Sequence, residues 1–397
     1  MASESEILQT SSKPSRSEEN ILSDNQTSHH QNGGHPYQKL PHLYDRVSNW
    51  TIQMVEKYLH IFYTGEGMEY SGEYVLQQGG IKTELTTYQK EYMTDLESIL
   101  TFDGSMYTYK YRGKTKAKPM LQTILSKVSP QNTSNLKDRP IYRYLHNVAV
   151  FVKYMIKYVD KVQETEWFNN KIPEGFYTEL VGRFAEMCLL ITNYQPEKSV
   201  WKNFKGITVT SKPDLRFFKS GIDDIETETA FAVIEVKRDT DTDEICQSAP
   251  TKRIKRSSSS GLQSDSTNSS PPTRRRQRHG TSTLADKVKG QHAGELLLDL
   301  HSIKKKRFSN CSEYYMPGMI VDGTGVSITM LVISRSHYEK IERNEPLDPE
   351  DKAQIYVSFF YDFLNQDERN ELMRVFMILN NIPEIYSEPD DNDTGSS

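Results

Sequence analysis

Apolar positions recur along this chain with two periods, and the places where one gives way to the other predict its elements. In Trp50 to Leu59 apolar residues fall at helical spacing, and Tyr88 to Leu100 reads as a second helix. Ile141 to Val162 predicts a longer one, with Leu145, Val148, Phe151, Met155 and Val159 along one face. Phe176 to Ile191 predicts another, its buried stripe running through Leu180, Phe184, Met187 and Ile191. From Phe204 the pattern changes to strands: Phe204–Thr210, then Leu215–Phe218, then Phe231–Lys237 after the turn-forming connector Ser220-Gly221-Ile222-Asp223-Asp224. Helical spacing returns over Leu284–Ile303. Tyr315–Ile333 reads as a hairpin around Asp322-Gly323, Gln354–Phe363 as a late strand, and Glu368–Leu379 as a closing helix.

Between these elements lie stretches with no period. Residues 1–36 are Ser, Gln, Asn, His and Glu with almost no apolar content, and residues 240–282 are Ser, Thr, Asp, Pro and basic residues. Neither can bury enough surface to offset chain entropy, so a disordered tail and a disordered insertion are expected. The organisation predicted is a mainly helical region over 37–165, an α/β region over 166–385 that carries the insertion, and an acidic tail over 386–397.

Composition narrows the classes. Hydrophobic residues make up 36% of 397 positions, and no apolar run approaches a membrane span or a signal-peptide core, which predicts no membrane partner. Cys188, Cys246 and Cys311 stand singly, which argues for a reducing compartment and against a zinc knuckle. A net charge of −5 excludes a generic polyanion binder, yet Thr251 to His279 carries a local +7. That excess comes from Lys252, Arg253, Lys255 and Arg256, then Arg274, Arg275, Arg276 and Arg278. Two such clusters across a Ser-rich spacer look like a bipartite nuclear-import signal, which predicts an import receptor as partner and the nucleus as location. A nucleic-acid tether is the competing reading. The basic, aromatic segment Tyr107–Lys118 is a second candidate for phosphate contact.

The candidate chemistry sits on two of the strands. Lys212-Pro213-Asp214 opens one, and Glu235-Val236-Lys237 closes the next. Side chains alternate along a strand, so Glu235 and Lys237 share a face and Ile234 and Val236 take the other. With Asp214 entering from an antiparallel neighbour, two carboxylates and one ammonium converge. Carboxylate oxygens suit Mg²⁺ or Mn²⁺, and a lysine there can orient water or stabilise developing negative charge.

Pro-Asp followed by Glu-x-Lys on the next strand resembles the PD-(D/E)XK superfamily of restriction endonuclease-like and RecB-like nucleases. A strand, Asp-Gly turn and strand after the following helix is similar to Crinkler-type nuclease domains. The resemblance covers roughly Glu179 to Leu331. It implies an α/β fold with a mixed central sheet flanked by helices, and Mg²⁺- or Mn²⁺-dependent hydrolysis of nucleic-acid phosphodiesters, with DNA favoured over RNA. It further implies Asp214 and Glu235 on the metal and Lys237 at the water. Glu179 on the preceding helix would be a third acidic ligand, with Glu186 its alternative, and Gln291 a supporting residue on the helix after Glu-x-Lys. His292 reads as a local partner, not a general base. The alternative function, from a different class, is a nuclear binding module that keeps this fold without catalysis.

Overall fold

The computed structural model describes residues 43–65, 70–103, 117–168, 171–194, 196–219, 232–237, 284–307 and 311–380. The expected tail over 1–36, residues 107–116 of the basic aromatic segment, the 220–224 connector, both basic clusters with the insertion around them, and the acidic tail lie outside them.

The N-terminal half is mainly helical, and some of its helices begin at a side-chain cap. Helix α1 (Ile52–Leu59) leads into strand β1 (Ile61–Thr64), and α2 (Gly72–Gln78) begins at Ser71, whose hydroxyl accepts from Tyr74 N. Helix α3 (Thr87–Ile99) begins with a capping box: Thr86 Oγ1 accepts from Gln89 N, and Gln89 Oε1 accepts from Thr86 N. Helices α4 (Ala117–Lys127) and α5 (Leu145–Phe168) follow, the second entered through a tight turn of 3-10 helix at Pro140–Tyr144. Helix α6 (Glu174–Met187) stops where Leu189 takes a left-handed φ of 68°. Strand β2 (Leu190–Asn193) then begins, so Ile191, expected on the helical stripe, lies instead on an edge strand and is 43% exposed.

Strands β3 (Ser199–Phe204) and β4 (Ile207–Ser211) form a separate two-stranded hairpin. Lys205 and Gly206 at its tip both have positive φ, the backbone that matches the twist of paired strands. Next come β5 (Leu215–Lys219), β6 (Ala232–Lys237) and α7 (Asp286–Arg307). They are followed by β7 (Glu313–Asp322), β8 (Gly325–Ser334), α8 (Arg335–Arg343), β9 (Ala353–Val357), β10 (Tyr361–Asp362) and α9 (Gln366–Leu379).

The central sheet runs β1-β9-β8-β7-β6-β5-β2, with β10 also pairing with β8. It is mixed: β1 with β9 and β6 with β7 are parallel, and the other neighbours are antiparallel. The parallel pair β6 and β7 is joined through α7, which lies on one face of the sheet. Ring contacts of Phe376 on α9 with Phe184 on α6 and Phe217 on β5 mark the opposite face. Both faces are therefore covered, and Ile234, Glu235 and Val236 are all buried. Strand β1 adds to this same sheet, and residues from Leu43 onward form one compact unit.

Helix α7 is buried over most of Val288–Leu300 because it is packed on two sides. Its inner side meets the sheet, and its outer side takes α1 and the Val47–Asn49 turn. Two glycines make that approach possible. A Cβ on Gly290 would sit 2.4 Å from the backbone of Thr51, and one on Gly294 would sit 2.5 Å from Val47.

Candidate active site

Strands β5 and β6 pair antiparallel with Leu215 opposite Ile234, so the next step of the register sets Asp214 opposite Glu235. Pro213, which cannot donate to a ladder, occupies the strand entry, where no such bond is required. Asp214 Oδ2 accepts from Val236 N at 2.9 Å, which fixes its carboxyl across the end of β6. Alternation then aims Asp214, Arg216 and Glu235 at α7.

Helix α7 answers with a polar stripe. Gln291, Glu295 and Asp299 recur at four-residue spacing on a helix whose other central positions are Ala, Gly, Leu and His. Gln291 Nε2 donates to Glu295 Oε1 at 3.0 Å. Glu295 is 1% exposed, and no donor among the described residues reaches its Oε2. The carboxyl of Glu235, also 1% exposed, lies close enough to share a proton with it. Burial, then the charge of Glu235, and further that of Asp214, hold Glu295 well above the usual carboxylate range; the Gln291 hydrogen bond opposes this. Two neighbouring strands and one helix thus bring three carboxyl groups together.

Sequence reasoning named Asp214, Glu235 and Gln291 in this place and passed over Glu295. The signal that could have found it is the four-residue recurrence of polar side chains inside an apolar helix. Lys237 ends β6, pairing with Asp322 of β7, and its side chain lies outside the described residues. Glu179 occupies a different set: it hydrogen-bonds Tyr154 of α5, beside Arg183. Glu186 likewise accepts from Arg183, Thr192 and Tyr194, and so holds α6 to the start of β2. His292 is buried, with Nε2 2.8 Å from Thr329 Oγ1, a local partner across to β8.

Of the cluster, Glu295 reaches a cleft of about 220 Å³ that is lined also by Arg46, Ser48, Lys198, Thr210, Ser211, Lys212 and Gln291. Among the described residues no set of three or more His, Cys, Asp or Glu stands arranged as a ready cage for a metal ion. That leaves open the donor set that Mg²⁺ uses, one or two carboxylates with the rest water and substrate oxygen. The oxygen chemistry of Asp214, Glu235 and Glu295 fits such an ion, and so does the unsatisfied Glu295 Oε2.

No protein-family model and no curated protein matches the chain.

Proposed function

We propose that the protein is a metal-dependent nuclease of the restriction endonuclease-like kind, hydrolysing nucleic-acid phosphodiester bonds, with DNA the favoured substrate. The observation that carries this reading is the convergence of Asp214 and Glu235 on Glu295, which lines a cleft shared with Arg46, Lys198 and Lys212. The order of elements supports it. Helix α6, the Pro-Asp strand β5, the Glu-x-Lys strand β6, helix α7 and the β7–β8 hairpin follow one another as the resemblance requires, and the two motif strands are antiparallel neighbours.

Asp214 and Glu235 would hold the cation, with Glu295 as the further carboxyl at the site. When bound, a hard divalent ion supplies an acidified water and neutralises charge on the phosphodiester. The chain's own groups do the rest. The Val236 amide fixes the Asp214 carboxyl, and the Gln291 amide fixes that of Glu295. The cationic rim draws in the phosphate backbone, and Lys237, by its strand position, is assigned to the attacking water. Glu179, held by Tyr154, is assigned no part in the metal site.

The test is cleavage of single-stranded and duplex DNA and of RNA by the purified protein in Mg²⁺ or Mn²⁺. Cutting should cease with EDTA and in Asp214→Asn, Glu235→Gln and Lys237→Ala, with far-ultraviolet dichroism unchanged. Cutting that survives all three substitutions would assign the activity elsewhere. Binding of nucleic acid without cutting in either metal would favour the non-catalytic binding module.

A further inference from the structure

The mouth of the cleft carries a pattern that the carboxyl cluster does not use. Arg46, Lys198 and Lys212 are exposed, and none makes an ion pair with a described residue. Exposed cations alone are ordinary. Beside them, however, Ser211 is 4% exposed, and its Oγ has no hydrogen-bond partner among the described residues. A buried hydroxyl is almost always satisfied, so one that lines an open cleft beneath three cations points to an acceptor missing from its surroundings. A phosphate oxygen is the acceptor that suits both groups: it takes an O–H bond from serine and charge-assisted N–H bonds from arginine and lysine.

The wall that offers these groups is fixed before anything binds. Thr210 N donates to Asp45 O at 2.8 Å, and Arg46 forms a bridge with Thr210, so residues 45–46 are stitched to β4. Trp50 holds the same segment down: its Nε1 donates to Tyr44 O at 3.0 Å, and its ring lies 5.8 Å from that of Phe204 on β3. Ser211 and Lys212 continue without a break into Asp214, so the cationic mouth and the carboxyl floor share one short stretch of chain. The size of the cleft matters too. At about 220 Å³ it is smaller than the roughly 300 Å³ at which enclosed small-molecule sites begin. It suits one phosphate of a polymer whose remainder lies outside.

We propose that the cleft between residues 45–48, the β3–β4 hairpin and α7 is a phosphate subsite that seats the backbone of a nucleic-acid strand beside the carboxyl cluster. Arg46, outside the stretch that resembles a nuclease, then becomes a substrate-binding residue. The inference takes the identity of its polymer from the nuclease reading, but its residues and geometry stand independently of cleavage.

The experiment is fluorescence anisotropy with a labelled single-stranded oligonucleotide in EDTA, so that binding is read without catalysis. It compares the full-length protein with the Arg46→Gln/Lys212→Gln double variant, Ser211→Ala, and Lys202→Gln as an exposed control on β3. The double variant should bind about tenfold more weakly or worse, and its slope of log affinity against log salt should shrink by about 0.7 for each cation removed. Ser211→Ala should weaken binding with the salt slope unchanged, and Lys202→Gln should match the parent. Inorganic phosphate should displace the oligonucleotide from the parent and lose that effect in the double variant. Parental affinity in the double variant or in Ser211→Ala overturns the subsite, even if Asp214→Asn abolishes cleavage and the nuclease reading stands. Loss of binding in these variants, in a protein that never cuts nucleic acid, would leave the subsite standing and remove the nuclease reading. Binding of phosphate but not of the oligonucleotide would overturn the assignment to a nucleic-acid strand.

Discussion

Arg216 of β5 and Asp299 of α7 form a two-pronged buried ion pair, Nε to Oδ2 at 2.6 Å and Nη2 to Oδ1 at 2.8 Å. Arg216 spends its remaining donors on Glu197 O and Ser199 Oγ, and Ser199 in turn donates to Asp299. The pair therefore ties three things together: the strand that begins at Asp214, the helix that carries Glu295, and the β3–β4 hairpin that walls the cleft. Asp299 lies one helical turn beyond Glu295, so whatever sets its position sets that of Glu295.

The first prediction is that breaking this pair is costly. Arg216→Ala or Asp299→Ala leaves one charge buried without its partner, a loss of about 3–5 kcal/mol. Replacing both partners, as in Arg216→Met/Asp299→Leu, should cost much less than the sum of the two single losses. Urea midpoints for the four proteins give the coupling directly. Additive losses would show that the two side chains act independently.

These contacts also show where sequence was informative. Asp214 opposite Glu235 was legible because alternation and a proline at the strand start are local rules, and the structure obeys both. Glu295 was not, because its role depends on α7 lying across β5 and β6, a placement fixed by Arg216 from more than eighty residues away. The end of α6 was misread for a related reason: apolar spacing continues through Ile191, but Leu189 turns left-handed and Leu190 pairs with Lys219. Strand β1 escaped notice because its partner, β9, is nearly three hundred residues on. The mixed sheet flanked by helices was legible in outline, since the helical periods over Leu145–Met187 and Leu284–Ile303 differ plainly from the strand periods over Leu215–Lys237 and Tyr315–Ile333.

A second prediction concerns Gly290. On an open helix face, glycine to alanine stabilises by about 1 kcal/mol. Here the added methyl would meet the Cα and carbonyl carbon of Thr51 at 2.4 Å, backbone that cannot rotate away. Gly290→Ala should therefore destabilise, by about 1–3 kcal/mol, as α1 is pushed from α7. A gain in denaturation midpoint would mean that the two helices slide freely.

The third prediction is a pH dependence. His337 on α8 is fully buried, and its Nε2 donates to Leu59 O at 2.9 Å. Burial lowers its pKa to about 4; the Leu59 carbonyl and Asp351 pull the other way, while His60 and Lys340 lower it further. The folded protein thus takes up this proton less readily than the unfolded chain, whose histidine titrates near 6.5. Stability from the neutral ring is complete above about pH 6.5 and drains away as pH falls toward 4. Melting temperature should fall between pH 6.5 and 5, before most carboxylates titrate. His337→Gln, which keeps an N–H donor, should flatten that fall; an unchanged slope would assign it to other groups.

The last prediction separates a working carboxyl from a structural one. A buried glutamate that serves only to hold the fold loses stability when it becomes an amide, because its partners were arranged for a carboxylate. Glu295 is in the reverse position. Its Oε2 meets no donor among the described residues, and burial with the charges of Glu235 and Asp214 disfavours its ionised form. An amide in its place can still accept from Gln291 through its oxygen, and its nitrogen gives Glu235 a donor. In EDTA, Glu295→Gln should therefore raise stability by about 1 kcal/mol, the pattern of a site held against its own folding preference. With Mg²⁺ present the gain should shrink, since the parent then recovers ion binding that the variant has lost. Cleavage should drop in the same variant, where Glu179→Gln, which alters the contact with Tyr154, leaves it intact. Thermal melts with and without metal provide the measurement. A Glu295→Gln protein less stable than the parent in EDTA would make this glutamate a structural residue and remove it from the site.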